Sequence, residues 1–432
     1  MARPDREAPA PVERRSFARF VAASGLTNLG DGIATIAWAW TASLLTRDPL
    51  LIALVAAALR LPWAVLALPA GIITDRTDRR RLILRMDMLR AAAFGMATIA
   101  LWSALPLDAP AERGVSSAPA FAALLAAALA VGAAEVFRDN AAQTMLPSLV
   151  PHERLEAANG RLWSVELTGN ALAGPPLGAM LVAVALPLPF FINTLIYAFA
   201  ALVVAGIAGS FRPARTQGRD WRRELAEGMA FLRAAPLLRL LAWLTGLWNL
   251  FFQMVMIGLV LHVQENLGLS SAEYGLVLAA GAVGGIAGGF LGERVVRWMG
   301  AGPAARWMLF LSAPAFAGIA LAPNAWSLGL ILALFELSGL VWNTVSVSTR
   351  QRVIPDHLLG RVNSAYRLLA WGMMPVGVML SGLIVRGAEA FATRETALTA
   401  PFWIAAAGIL SVSLAGWRPL GAGLARRTSP DR

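Results

Sequence analysis

"PAGIITDRTDRRRLILRMD", residues 69–87, places Asp75, Arg76, Asp78, Arg79, Arg80 and Arg81 between two apolar runs. Apolar stretches of about 20 residues broken by short charged turns are the pattern of helices that cross a bilayer. The rest of the 432-residue chain follows it, at 57% hydrophobic and only 15% charged, a balance unlike that of a soluble domain. Twelve spans are read, at 17–45, 50–73, 83–106, 118–142, 160–185, 188–210, 236–262, 272–296, 304–322, 325–347, 363–386 and 399–418. The stretch 69–87 is then the turn between the second and third.

The composition removes several chemistries. There is no cysteine, so disulfides and thiolate metal sites are excluded. All 37 basic residues are arginine. A nucleotide-binding P-loop and a Schiff-base cofactor both require lysine, so an ATP-driven pump is excluded and no cofactor is expected. His152, His262 and His357 are scattered singly, so no metal site is expected. The net charge of +11 does not indicate nucleic acid, because the arginines sit between apolar runs. With the N-terminus inside, thirty of the 37 fall in cytoplasmic segments. Only Arg47, Arg113, Arg386 and Arg394 fall in outer loops. Such asymmetry orients membrane helices, so both termini are expected in the cytoplasm. An Ala- and Arg-rich, lysine-free composition is associated with bacteria, which suggests a bacterial cell membrane.

The chain also repeats itself. "LVPHERLEAANGRL" (149–162) aligns with "VIPDHLLGRVNSAY" (353–366), matching Pro151 to Pro355, Leu155 to Leu359 and Asn159 to Asn363. Gly71-x-x-x-Asp75-Arg76 has a weaker echo in Gly289-x-x-x-Glu293-Arg294. Parallel duplication is a layout of transporters. The expected organisation is a tail (1–16), a six-helix bundle (17–210), a linker with an amphipathic helix (211–235), a second bundle (236–418) and a C-terminal tail (419–432).

At this point the sequence resembles the major facilitator superfamily. Gly71-x-x-x-Asp75-Arg76-x-x-Arg79-Arg80 is similar to its signature between spans 2 and 3. Gly174-Pro175-x-x-Gly178 is similar to its antiporter motif, although Ala179 stands where a second glycine is usual. Asn28-Leu-Gly-Asp31, Leu146-Pro147 and Ala158-Asn159 resemble its drug- and siderophore-exporting branch. The resemblance implies an all-α membrane fold of twelve helices in two pseudo-symmetric bundles. It also implies a monomer that moves a small-molecule substrate against protons across the lipid bilayer.

Within that frame the charged turn reads as a latch on the inner face. Gly71 permits close helix approach. Asp75 suits the positive end of a neighbouring helix, which the resemblance places near Asn363. Arg76 and Arg79 are expected to meet acids at the inner ends of spans 3 and 4, with Asp139 favoured. Glu135, Arg138 and Asp139 share one helical face and join this latch. A plain reading, topology arginines and a helix cap, accounts for Arg80, Arg81 and Arg85.

Charges at mid-membrane are costly and need a reason. At 1.5 Å per residue, Asp31 lies about 21 Å, Arg60 about 20 Å and Glu336 about 17 Å from the inner face. An Asp31–Arg60 pair is therefore expected. Asp31, Glu336 and the shallower Glu166 are the candidate proton carriers, with a static ion pair as the alternative. Asn28, Trp38, Trp248, Asn249, Gln253, Trp342 and Asn343 are candidates for the substrate cavity. In "DWRRELAEGMAFLRAAP", Trp221, Leu225 and Met229 form the apolar stripe of a helix expected to lie on the inner leaflet. The leading reading is a proton-driven exporter of amphipathic organic molecules. The alternatives are an uptake or lipid-moving carrier of the same fold, and a receptor or scaffold that does not transport.

Overall fold

In a computed structural model of the protein, residues 11–74, 76–151, 154–212 and 221–425 are described. Asp75 and His152 lie outside them, as do most of the expected tails and part of the linker. The described chain is helical almost throughout: α1 Pro11–Leu45, α2 Pro49–Thr74, α3 Arg79–Ser103, α4 Ala118–Met145, α5 Leu155–Glu166, α6 Gly174–Val184 and α7 Leu188–Ala205 form the first half. After α8, Trp221–Ala234, come α9 Pro236–Leu261, α10 Ser271–Met299, α11 Ala301–Leu321, α12 Ala325–Val353, α13 Asp356–Ala388 and α14 Arg394–Ala425. Among the described residues, ten helical stretches are long and apolar enough to cross a membrane. α1 and α3 run alongside them with more charge.

The two halves pack by one plan. α2 lies on α4 as α10 lies on α12, α3 on α7 as α11 on α14, and α1 on α7 as α9 on α14. Each bundle thus buries its own core, and the halves meet chiefly through α2 with α13 and α6 with α10. Small residues allow these meetings. Gly382 of α13 sits against Pro49, Leu50 and Ala53 of α2, and Gly275 of α10 against Ala179 and the Pro175 carbonyl. Ala179 departs from the familiar motif, and its methyl fills the space that Gly275 leaves.

The charged turn folds for local reasons. Asp78 caps α3 by accepting from the Arg81 amide at 3.1 Å, which starts that helix four residues earlier than expected. Asp78 also accepts from the Phe211 amide at 3.1 Å. Burial works to raise its pKa. The two amides, helped by the charges of Arg80 and Arg81, hold it below the ordinary 3.8. Arg80 donates to the Ile207 carbonyl and the Arg79 amide to that of Phe211. Asp78, Arg79 and Arg80 therefore tie α3 to the chain just after α7, inside one bundle.

Leu225 and Met229 pack on the core and Leu232 is buried, while Gly228 brings α8 against the Arg361 backbone of α13. Glu227 adds an ion pair with Arg361 at 2.7 Å. Leu225 and Met229 of the apolar stripe thus face the second bundle; the Trp221 side chain lies outside what the structure describes.

Candidate functional site

The first bundle holds a line of buried charge. Asp31 projects from the middle of α1. Its Oδ1 accepts from the Tyr197 hydroxyl of α7 at 2.7 Å and from the Arg90 guanidinium of α3. Arg90 is wholly buried and lies 4.2 Å above the Tyr197 ring, which stacks on Phe94. One turn before Arg90, fully buried Asp87 pairs with Arg138 of α4 at 3.3 Å, and Arg138 reaches Asp139 at 3.6 Å. Glu135 lies one turn back along α4, partly buried.

The partner of Asp31 is thus Arg90 and not Arg60. Depth alone made Arg60 plausible, but it is Arg90 of α3 that reaches the Asp31 carboxylate. Arg60 is exposed and makes no ion pair with Asp31. Arg90, Asp87 and Tyr197 were legible as a mid-membrane arginine, an acid one turn away and one of only three tyrosines. Which helices bring them to Asp31 was not.

Among the described residues, Arg76 and Arg79 make no ion pair with Asp139, and Asp75 lies outside those residues. A Cβ on Gly71 would meet nothing within 4 Å, so no helix packs there. Asp139 is held by Arg138. The physical reason is that the Arg-rich end of the molecule is open. Gly160 and Gly372 also face empty space, Trp163 is 65% exposed, and Glu166 and Asn343 are exposed.

The opposite end is closed by residues that the sequence reading left as plain loop charges. Arg394 binds Glu265 through two hydrogen bonds of 2.9 and 3.0 Å, pairs with Glu389, and donates to the Arg47 carbonyl at 2.7 Å. Arg47 donates to Gln264 at 2.7 Å and lies 3.6 Å from Glu265, while Gln264 reaches Ser43 at 2.7 Å. Arg386 approaches Asp48 at 3.7 Å. A π-helical turn at His262–Asn266 presents Gln264 and Glu265 to the first bundle. Just beneath, Trp40 stacks on Tyr274 at 5.8 Å, and Ser271 donates to the Ala179 carbonyl at 3.3 Å.

The Gly174-Pro175-x-x-Gly178 stretch sits at a break. Pro175 and Pro176 lack the amide hydrogens that an α-helix needs, and the span opens into a π-helix at Leu167–Ala173 before α6. Gly174 touches Gly32, and Gly178 touches the Ile33 carbonyl, so α1 and α6 are in backbone contact beside Asp31. Gly178→Leu is expected to force them apart. Overpacking of this kind costs about 1–3 kcal/mol, which thermal unfolding in detergent would read as a clear loss of stability. An unchanged melting temperature would mean that α1 and α6 have room to part.

Cavity candidates divide. Trp38 is buried against Phe94 and Phe190, and Trp342 is also buried, because large rings fill cores lined by small residues. Both are removed from the open space. Trp248 stacks with Phe252 and Phe335 and donates to Ser312 at 3.1 Å. Asn249 is buried and donates to the Ala370 carbonyl, tying α9 to α13, and Gln253 is buried. Asn28 is half-buried and donates to the Ser24 carbonyl at 2.8 Å. Glu336 lies against Gly281 and Gly285 of α10 with no hydrogen bond or ion pair among the described residues.

Comparison with known proteins gives the chain its kin. The family model described as Major Facilitator Superfamily matches residues 20–378. "Multidrug efflux pump Tap" of Mycolicibacterium fortuitum is 27% identical over 423 residues, covering 90% of this chain and 93% of that protein. A bacterial homologue of the human lysosomal transporter Spinster, in an inward-facing and unoccupied conformation, superposes with a TM-score of 0.72 at 14% identity, over 98% of this chain and 100% of the other. A bacterial homologue of the iron transporter ferroportin, in an inward-facing state, gives 0.70 at 16% identity, over 96% and 100%.

Proposed function

We propose that this chain, which belongs to the Major Facilitator Superfamily, exports small amphipathic organic molecules in exchange for protons. It is a multi-pass membrane transporter and not an enzyme; the direction, the proton and the class of cargo are the proposal. Export is favoured by the multidrug efflux pump that it resembles along most of its length. The arginine asymmetry favours a cytoplasmic Arg-rich end, so the structure is read as open to the cytoplasm and closed outside.

The observation that carries the coupling is the position of Asp31. Its carboxylate holds Arg90 and Tyr197 on one side. Its neighbour Gly32 touches Gly174 and lies against the carbonyls of Gly169 and Asn170, the broken part of the fifth span. That span meets α10 of the other bundle through Ala179 and Gly275. A proton on Asp31 removes the charge that fixes Arg90. Arg90 then turns to Asp87 one helical turn away, α1 shifts on α6, and the contact between bundles is released. Asp31, Asp87, Glu135 and Asp139 surround two buried guanidiniums, Arg90 and Arg138, and a bound proton offsets part of that excess negative charge. In the outward-open state the inner latch of Gly71, Asp75, Arg76 and Arg79 closes against the second bundle, as alternating access about a fixed site requires.

The test is export of a panel of dyes and antibiotics from a bacterium stripped of its main pumps. Lower accumulation with this chain, abolished by a protonophore, supports the reading. A compound whose export ignores the protonophore rejects proton coupling.

A further inference from the structure

At the Arg-rich end of the second bundle, α14 is flanked by two slots that meet at Pro419. One, of about 540 Å3, lies against α11 and is walled by Trp307, Phe310, Leu414 and Trp417. The other, of about 480 Å3, lies against α9 and is walled by Leu237, Leu240 and Trp243. Both open on the outer surface of the bundle, where Trp307, Trp243 and Leu414 are 45%, 46% and 59% exposed.

Each slot has its own cation. Arg418 lines the first and Arg239 the second, and Arg306 reaches the first through its wall residue Trp417. The Arg306 guanidinium lies 5.2 Å over the Trp417 ring and against Gly421 of α14, and its Nε is buried without a partner. None of the three arginines pairs with a carboxylate among the described residues, although acids neutralise arginines elsewhere in the molecule. Tryptophan and arginine together at a helix end mark the headgroup level of a bilayer. Basic pockets between helices at that level accept anionic headgroups.

We infer that the two slots form one site for a glycerophospholipid carrying two phosphates, of the diphosphatidylglycerol kind. One phosphate sits on Arg306 and Arg418 and the other on Arg239, with α14 between them. The acyl chains descend along Phe310 and Leu414 on one side and Leu240 and Trp243 on the other. A lipid with a single phosphate satisfies one slot and leaves the opposite cation bare. The site stands apart from Asp31 and does not depend on proton coupling.

The test is native mass spectrometry of the delipidated full chain, offered diphosphatidylglycerol, phosphatidylglycerol and phosphatidylcholine of matched acyl length. The two-phosphate lipid is expected to stay bound at least about fivefold more than either of the others. Arg239→Gln with Arg418→Gln, both at exposed positions, is expected to erase the preference, whereas Arg81→Gln with Arg85→Gln is expected to keep it. Equal retention of the three lipids, or a preference that survives Arg239→Gln with Arg418→Gln, overturns the site. Phosphatidylglycerol held as firmly as diphosphatidylglycerol overturns the two-phosphate ligand.

Discussion

Asp31→Asn is expected to abolish gradient-driven export and to lower thermal stability at the same time. Arg90 is fully buried, and Asp31 is the carboxylate it pairs with. Stranding a buried charge costs about 3–5 kcal/mol, whereas replacing both partners of such a pair by well-packed neutral groups is often close to neutral. The double variant Asp31→Asn, Arg90→Leu is therefore expected to recover much of the melting temperature lost by the single one. It is not expected to recover transport, because Asp31, the group proposed to take the proton, is gone. That split separates a coupling acid from a packing ion pair. If the double variant regains both stability and protonophore-sensitive export, Asp31 is structural, and the coupling role passes to Glu336 or Glu166.

Glu265→Gln is expected to open the closed end. Glu265 gathers Arg47 from the first bundle and Arg394 from the second, and both arginines are partly exposed. Exposed ion pairs contribute only about 0.2–1 kcal/mol each, so losing both shifts the balance of conformations by about 0.4–2 kcal/mol, or roughly 2–30-fold. The chain has no cysteine, so Ala109→Cys and Ala392→Cys, both exposed at that end, can be spin-labelled without further change. Pulsed electron resonance should then show a longer-distance population that grows in Glu265→Gln and shrinks again in high substrate if substrate binds the form open to the Arg-rich end. An unchanged distribution would mean that Trp40, Tyr274 and the α6–α10 contact hold the end closed unaided.

The fold was legible because bilayer physics writes it plainly. Twenty-residue apolar runs, arginines gathered on one side and the match of residues 149–162 to 353–366 leave few other architectures. The fifth span shows the limit. Its glycines and prolines announce a close contact and a break, but not that the chain answers with a π-helix or that α1 is the neighbour. The site was half legible for a related reason. Depth along a helix follows from residue count, which found Asp31, but rotation about the axis depends on packing, and that decided for Arg90 over Arg60. The staple at the closed end was hidden differently. Arg47, Asp48, Glu265, Arg386 and Arg394 are ordinary loop charges until four separate helix ends converge. The latch was read from resemblance, and in this structure its Gly71 faces open space.

The most direct measurement is the Ala109–Ala392 distance distribution across a range of pH in lipid nanodiscs, for the otherwise native chain and for Asp31→Asn. Protonation of Asp31 as the trigger predicts that the two populations exchange with pH in the former and stay fixed in the latter. An Asp31→Asn protein that still exchanges with the native pH dependence would contradict it.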